Sequence, residues 1–241
     1  MAFPTFTNTP AFQSGRRPVL EAPSGEVMSY EGTIQRTVLS FAVLLVGAAV
    51  GWFIPALALP AVLIGVILGL VIAFKRISSA PATLTYSGVE GVVVGAVSAI
   101  LENIYPGVAS QAVLATLVVF GVILFFFSRG TLRTTPRLNK IFVVAAISYA
   151  LFSLVNLGLM LTGVTTGMFG LRSDMGVFGI VIGILATLLA SYSLVIDFEF
   201  IKIGVDNRAD SKLEWLAAFS LIGTIVWLYL ELIRLFSMFR S

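Results

Sequence analysis

Seven stretches of about 20 mostly apolar residues, each long enough to cross a hydrocarbon core as a helix, take up most of this chain. They cover residues 37–54, 56–74, 81–101, 108–128, 141–161, 177–200 and 213–236, separated by Pro, Gly or charge. Lipid offers no partner to a backbone N–H or C=O, so such stretches must satisfy their own hydrogen bonds as helices. Pro55, Pro60, Pro81 and Pro106 stand at or near their ends, where a missing N–H does no harm. Composition agrees: 58% of residues are hydrophobic and 11% charged, where a soluble domain carries about 25% charged residues. The expected fold class is all-α, a polytopic membrane protein with seven transmembrane helices.

The chain has neither Cys nor His. That removes disulfides, zinc sites, thiol nucleophiles and any Ser-His or Glu-His pair, so no enzymatic activity and no resident cofactor are expected. A retinal Schiff base would need a lysine well inside a span, and Lys75, Lys140, Lys202 and Lys212 all fall at span ends or in loops. The net charge of +3 is explained by topology, so nucleic acid is not an expected partner.

Basic residues in short loops stay on the cytoplasmic side. With the N-terminus inside, that side holds Arg16, Arg17, Arg36, Lys75, Arg76, Arg129, Arg133, Arg137, Lys140, Lys202, Arg208 and Lys212, twelve of the fifteen Lys and Arg. Only Arg172, Arg234 and Arg240 are left outside. The expectation is N-terminus cytoplasmic, C-terminus outside. Residues 1–33 lack a core pattern and read as a flexible cytoplasmic tail whose Phe3, Phe6 and Phe12 are candidates for touching the membrane surface; residues 34–241 form the membrane domain. The first apolar run starts too late for a signal peptide. The connector 202–212 reads as solvated, and the Gly-rich, Thr-rich loop 162–176 as flexible.

Glycines four apart occur in four spans, as Gly47/Gly51, Gly65/Gly69, Gly91/Gly95 and Gly179/Gly183. Each pair shares a helix face and permits close backbone approach where lipid supplies no hydrophobic drive. Tight helix packing is the first consequence; smooth contacts that allow small sliding motions are the second.

Against this apolar background three acidic residues, Glu90, Asp197 and Glu231, are misfits. A carboxylate near a bilayer centre costs about 3 kcal/mol even on the lenient insertion scale, so each is a functional candidate by default. With Lys202 and Trp215 as inner-boundary markers, helical rise puts Asp197 about 7 Å deep, Glu90 about 13 Å and Glu231 about 24 Å. Such a staircase suits a cation exchanging ligands or a water-bridged proton relay. The alternative is structural, with Asp197 paired to Lys75 or Arg76. A carboxyl poised between burial and a nearby cation can titrate near neutral pH. Glu102 and Glu199 lie near the interfaces and read as solvated or as a mouth for cations. Asn156 and Gln111 are costly to leave unpaired and are expected to face other helices, as glue or along a pathway. Most of Ser98, Thr116, Ser148, Ser153, Thr187, Ser191, Ser193 and Thr224 are expected to bond back to their own helices.

Several motifs resemble one known family. Residues 86–120, YSGVEGVVVGAVSAILENIYPGVASQAVLATLVVF, look like the third and fourth spans of the Bax inhibitor-1 (transmembrane Bax inhibitor motif) superfamily. They hold an acidic E-G, a GxxS turn, a Glu before the loop, and a Q-A-x-x-x-T-x-x-V-F signature on Gln111, Ala112, Thr116, Val119 and Phe120. LVIDFEFIKIG around Asp197 resembles the Asp motif that ends the sixth span, and LYLELIRLF around Glu231 resembles LYLDxxNLF in the seventh. The chain is most similar to bacterial members, which implies the cytoplasmic (plasma) membrane.

The resemblance implies a seventh helix surrounded by the other six, and a pH-sensitive calcium leak. It also implies an aspartate on the sixth helix and one on the seventh that share a proton to gate the pore, with an arginine at the inner end of the second helix tuning them. Asp197 matches the first aspartate, and Arg76 or Lys75 the arginine. For the second, LYLE selects Glu231; alignment by helix start instead puts Thr224 there, which removes the paired carboxylate and makes Glu90 the partner of Asp197. The expected function is a calcium-permeable leak in which Asp197, Glu90 and Glu231 bind calcium weakly and transiently. A regulatory scaffold that binds a membrane protease or another membrane protein, and a proton-coupled transporter with Asn156 and Gln111 in a midplane site, are the rivals.

Overall fold

A computed structural model describes residues 26–165, 167 and 169–240; the expected tail contacts of Phe3, Phe6 and Phe12 lie outside them. Eight helices follow in chain order: α1 Tyr30–Phe53, α2 Ala58–Lys75, α3 Ala80–Ile104, α4 Val108–Ser128, α5 Pro136–Leu161, α6 Leu171–Asp174, α7 Val177–Asp206 and α8 Leu213–Met238. All but α6 are long and apolar enough to cross a membrane. Among the described residues there is no strand, only a single bridge between Val27 and Asp210. The all-helical, multi-pass fold is as expected.

Helix ends outrun the apolar runs wherever polar residues can cap or pair. Ser29 accepts the Gly32 N–H and starts α1 seven residues before the first apolar stretch. Thr135 accepts the Leu138 N–H, and Pro136 at the first helical position starts α5 five residues early. At the other end α7 runs on to Asp206, where Lys202 and Asp206 pair at 2.5 Å one turn apart. Glu102, expected to be solvated or to gather cations, instead accepts the N–H groups of Gly107 and Ala109 at 2.6 and 2.9 Å and so caps α4.

The chain divides into two compact units, one of Met1–Ile100 with Ile196–Val226, the other of Leu101–Val195 with Trp227–Ser241. In the first, α1 and α3 touch backbone to backbone through their paired glycines. A Cβ at Gly47 or Gly51 would strike the carbonyl of Gly88 or Val92, and one at Gly91 or Gly95 the carbonyl of Leu44 or Ala48. On α2 the glycines serve bulk: Gly65 makes room for the Glu90 carboxylate and Gly69 for the Tyr86 ring. Residues 26–28 lie along the α7–α8 connector, with Met28 N–H donating to Ala209 O at 2.7 Å and Ser211 N–H to Glu26 O at 3.0 Å. This part of the expected tail and solvated connector is a mutual strap. Its neighbour Glu214 is buried, accepts the Ser29 N–H at 2.8 Å and pairs with Arg36 at 3.1 Å.

In the second unit Gly179 admits the segment that carries Arg172, and Gly183 a side chain of α8. A Cβ at Gly179 would strike the Arg172 carbonyl, and one at Gly183 would press on Leu235. Exposure separates the spans. In the most apolar stretch of α8, 78% of residues are buried, against 6% in α5. By this measure α8 is the most buried span and α5 the most exposed.

Candidate functional site

Helix α8 carries two polar clusters, one in each unit. In the first, Asp197 on α7 is 2% exposed and accepts a hydrogen bond from Ser220 Oγ at 2.5 Å. Thr224, one turn further along α8, also reaches this carboxyl through its hydroxyl. Asp197 Oδ2 has no hydrogen-bond partner among the described residues. A buried carboxylate oxygen without a donor is costly in the ionised state.

Nearby on α3, Tyr86 and Glu90 share a side-chain hydrogen bond one turn apart. The Tyr86 ring packs on Phe219 with centroids 4.6 Å apart, and its hydroxyl faces Gly223, where a Cβ would stand 3.1 Å from it. Glu90 is half-buried. Tyr86 therefore links the Glu90 side of this unit to the stretch of α8 that holds Ser220 and Thr224.

The second cluster forms around Glu231, 3% exposed. Arg172 donates to Glu231 Oε2 at 3.0 Å and to the Tyr149 hydroxyl, which in turn donates to Glu231 Oε1. Arg234, one turn on, donates to the same Oε1 at 3.1 Å. The Arg172 guanidinium also lies 5.0 Å from the centre of the Tyr149 ring, and that ring stacks on Trp227. Arg172 is 2% exposed. Its burial is tolerable because the carboxylate neutralises it and the phenol shares its donors; taking either partner from such a buried pair typically costs about 3–5 kcal/mol.

Several expectations need correction. Asn156 was expected to face other helices or a midplane site; its amide donates to Phe169 O at 3.1 Å and its Oδ1 accepts the Leu171 N–H at 2.7 Å. It holds the loop that carries Arg172. Gln111 is exposed in the first turn of α4, where that loss of a partner costs little. Arg76 caps α2 in a left-handed conformation, φ 51°, and is half-buried. Glu231 lies eleven residues beyond Ser220 on α8, about 16 Å of helical rise, so α8 presents Ser220 and Thr224 to Asp197 and Glu231 to Arg172. Glu199, expected near the interface, is half-buried with Oε2 unpartnered among the described residues. Among the described residues no three acidic groups gather into a site that could hold an ion. Ser98, Thr116, Thr187 and Ser191 bond back to Val94, Ala112, Gly183 and Thr187 of their own helices, as expected.

Arg172 is the residue that sequence reasoning missed. Charge counting treats it as a marker of the outer side, and the loop around it reads as flexible. One signal was available: a carboxylate as deep as Glu231 needs a cation, and Arg172 is one of only three basic residues assigned to that side.

These features define a class, the polytopic helical membrane proteins that keep carboxylates buried within their spans. A family model described as Bax inhibitor 1 like matches residues 4–241. The chain belongs to that family, as its motifs implied. Among curated proteins no sequence matches it.

Proposed function

We propose that this chain is a pH-sensitive, calcium-permeable leak of the plasma membrane, with its N-terminus cytoplasmic and its C-terminus outside. Asp197 carries the reading. It is buried, its partners Ser220 and Thr224 are hydroxyls, and one of its oxygens lacks a donor among the described residues. Protonation removes the buried charge; deprotonation leaves an anion able to attract a passing cation. Calcium takes oxygen ligands, commonly six to eight, and a carboxylate flanked by two hydroxyls supplies too few to trap it. Weak coordination is what a leak requires. Glu90, joined to Tyr86, is a second oxygen site in the same unit, and Arg76 the competing positive charge. Protons, calcium and the bilayer are the partners in this reading, which involves no enzymatic step and no resident cofactor.

Calcium flux into dye-loaded proteoliposomes across a pH series tests it, with native protein beside Asp197→Asn. The expected result is pH-dependent flux that loses its pH dependence in the variant. Native flux no higher than protein-free liposomes at every pH would discard the leak.

A second reading is a scaffold for another membrane protein, and the strap supports it. Residues 26–28 are fastened to the α7–α8 connector, which fixes where the preceding chain emerges. Deletion of residues 1–25 would then abolish function while Asp197→Asn did little. The transporter reading loses its midplane site, since Asn156 holds a loop and Gln111 is exposed.

A further inference from the structure

The loop between α5 and α7 is held at three places. Asn156 bonds on both sides of Gly170, to Phe169 O and to the Leu171 N–H. Gly170 adopts φ 60°, and a Cβ there would collide with the Asn156 side chain. Gly179 lets the Arg172 carbonyl lie against α7, where any side chain would strike it. This seat sets Arg172 on Glu231. Both oxygens of Glu231 are thereby engaged, Oε2 by Arg172 and Oε1 by Tyr149 and Arg234.

A carboxylate inside a membrane protein is a natural stop for a hard cation. Here a cation already occupies it, and that cation is tethered to a loop. We propose that Arg172 is a built-in counter-ion that closes the Glu231 carboxylate to passing cations. A divalent cation can use Glu231 only when the guanidinium leaves, and the loop moves with it. The inference rests on the leak reading and adds a second barrier to it, governed by competition between a tethered and a free cation rather than by the proton on Asp197. Tyr149 is a positioning residue in this device, because it holds the guanidinium and the carboxylate through one hydroxyl.

The test combines calcium flux in proteoliposomes with backbone hydrogen exchange over residues 169–176, on native protein, Arg172→Met and Asn156→Ala. Arg172→Met removes the tethered charge; Asn156→Ala keeps every charge and loosens only the seat. The expected result is flux at least about tenfold above native in Arg172→Met, a shift in the open population, with faster exchange across the loop. Asn156→Ala should move both readouts in the same direction by less, which keeps the proposal testable if Arg172→Met does not fold. Folded variants with native flux and native exchange would overturn it. Background flux in native protein and both variants would fail the leak reading instead, and the exchange data would still decide whether the ion pair holds the loop.

Discussion

Asp197 and Glu231 are both buried carboxylates that contact or belong to α8, and their surroundings are opposite. Asp197 meets hydroxyls and keeps one oxygen without a donor among the described residues. Glu231 meets two guanidinium groups and a phenol, and both its oxygens are engaged. Burial alone therefore does not identify a responsive group. What matters is whether the partners already supply the compensating charge. Glu231 is a filled site, paired with cations already in place, whereas Asp197 meets hydroxyls that bring no compensating charge.

The largest expected effect tests the filled site. Glu231→Gln leaves Arg172 buried without its anion and should lower stability by about 3–5 kcal/mol, read as a fall in thermal unfolding temperature in detergent. Asp197→Asn should stay within about 1 kcal/mol of native in the same assay, since the amide keeps an acceptor for Ser220 and no charge is abandoned. Equal losses in the two would erase the contrast. Tyr149→Phe removes the hydroxyl that joins Arg172 to Glu231 and should cost about 1–2 kcal/mol; a null result would mean that the guanidinium and carboxylate hold each other unaided. Arg234→Gln should be smallest, about 0–1 kcal/mol, because that side chain is 31% exposed and water can replace its contact. A loss as large as that of Glu231→Gln would make Arg234, not Arg172, the principal counter-ion.

Much of the architecture was legible in the sequence because hydropathy and helical length are local properties. All seven spans are where the apolar runs placed them, and the errors lie at their ends. Ser29, Thr135 with Pro136, and the Lys202–Asp206 pair extend helices into polar sequence, beyond the reach of a hydropathy window. The acidic misfits were legible as misfits. Of their partners, Thr224 was legible as one choice opposite Asp197; Ser220 and Arg172 were not, since partnership depends on rotation about the helix axis and on loop paths. LYLE resembles an aspartate motif, yet its glutamate meets Arg172, while the less conspicuous Ser220 and Thr224 meet Asp197. The four GxxxG pairs were visible, but one pattern serves three ends: backbone contact between α1 and α3, room for Tyr86 and Glu90 on α2, and a seat for Arg172 on α7.

The fastening of Ser29 to Glu214 joins residues 185 positions apart. At about 5–20 residues per second, the ribosome needs on the order of 10–40 s to make that intervening chain. During that interval Ser29 can cap its own turn, but its N–H lacks the carboxylate that accepts it, and Arg36 has no Glu214 to meet. The first helix thus waits for the start of the last one, since Glu214 is the second residue of α8. A truncated chain lacking α8 would keep the strap of residues 26–28 on Ala209 and Ser211 but leave the Ser29 N–H and Arg36 without their carboxylate.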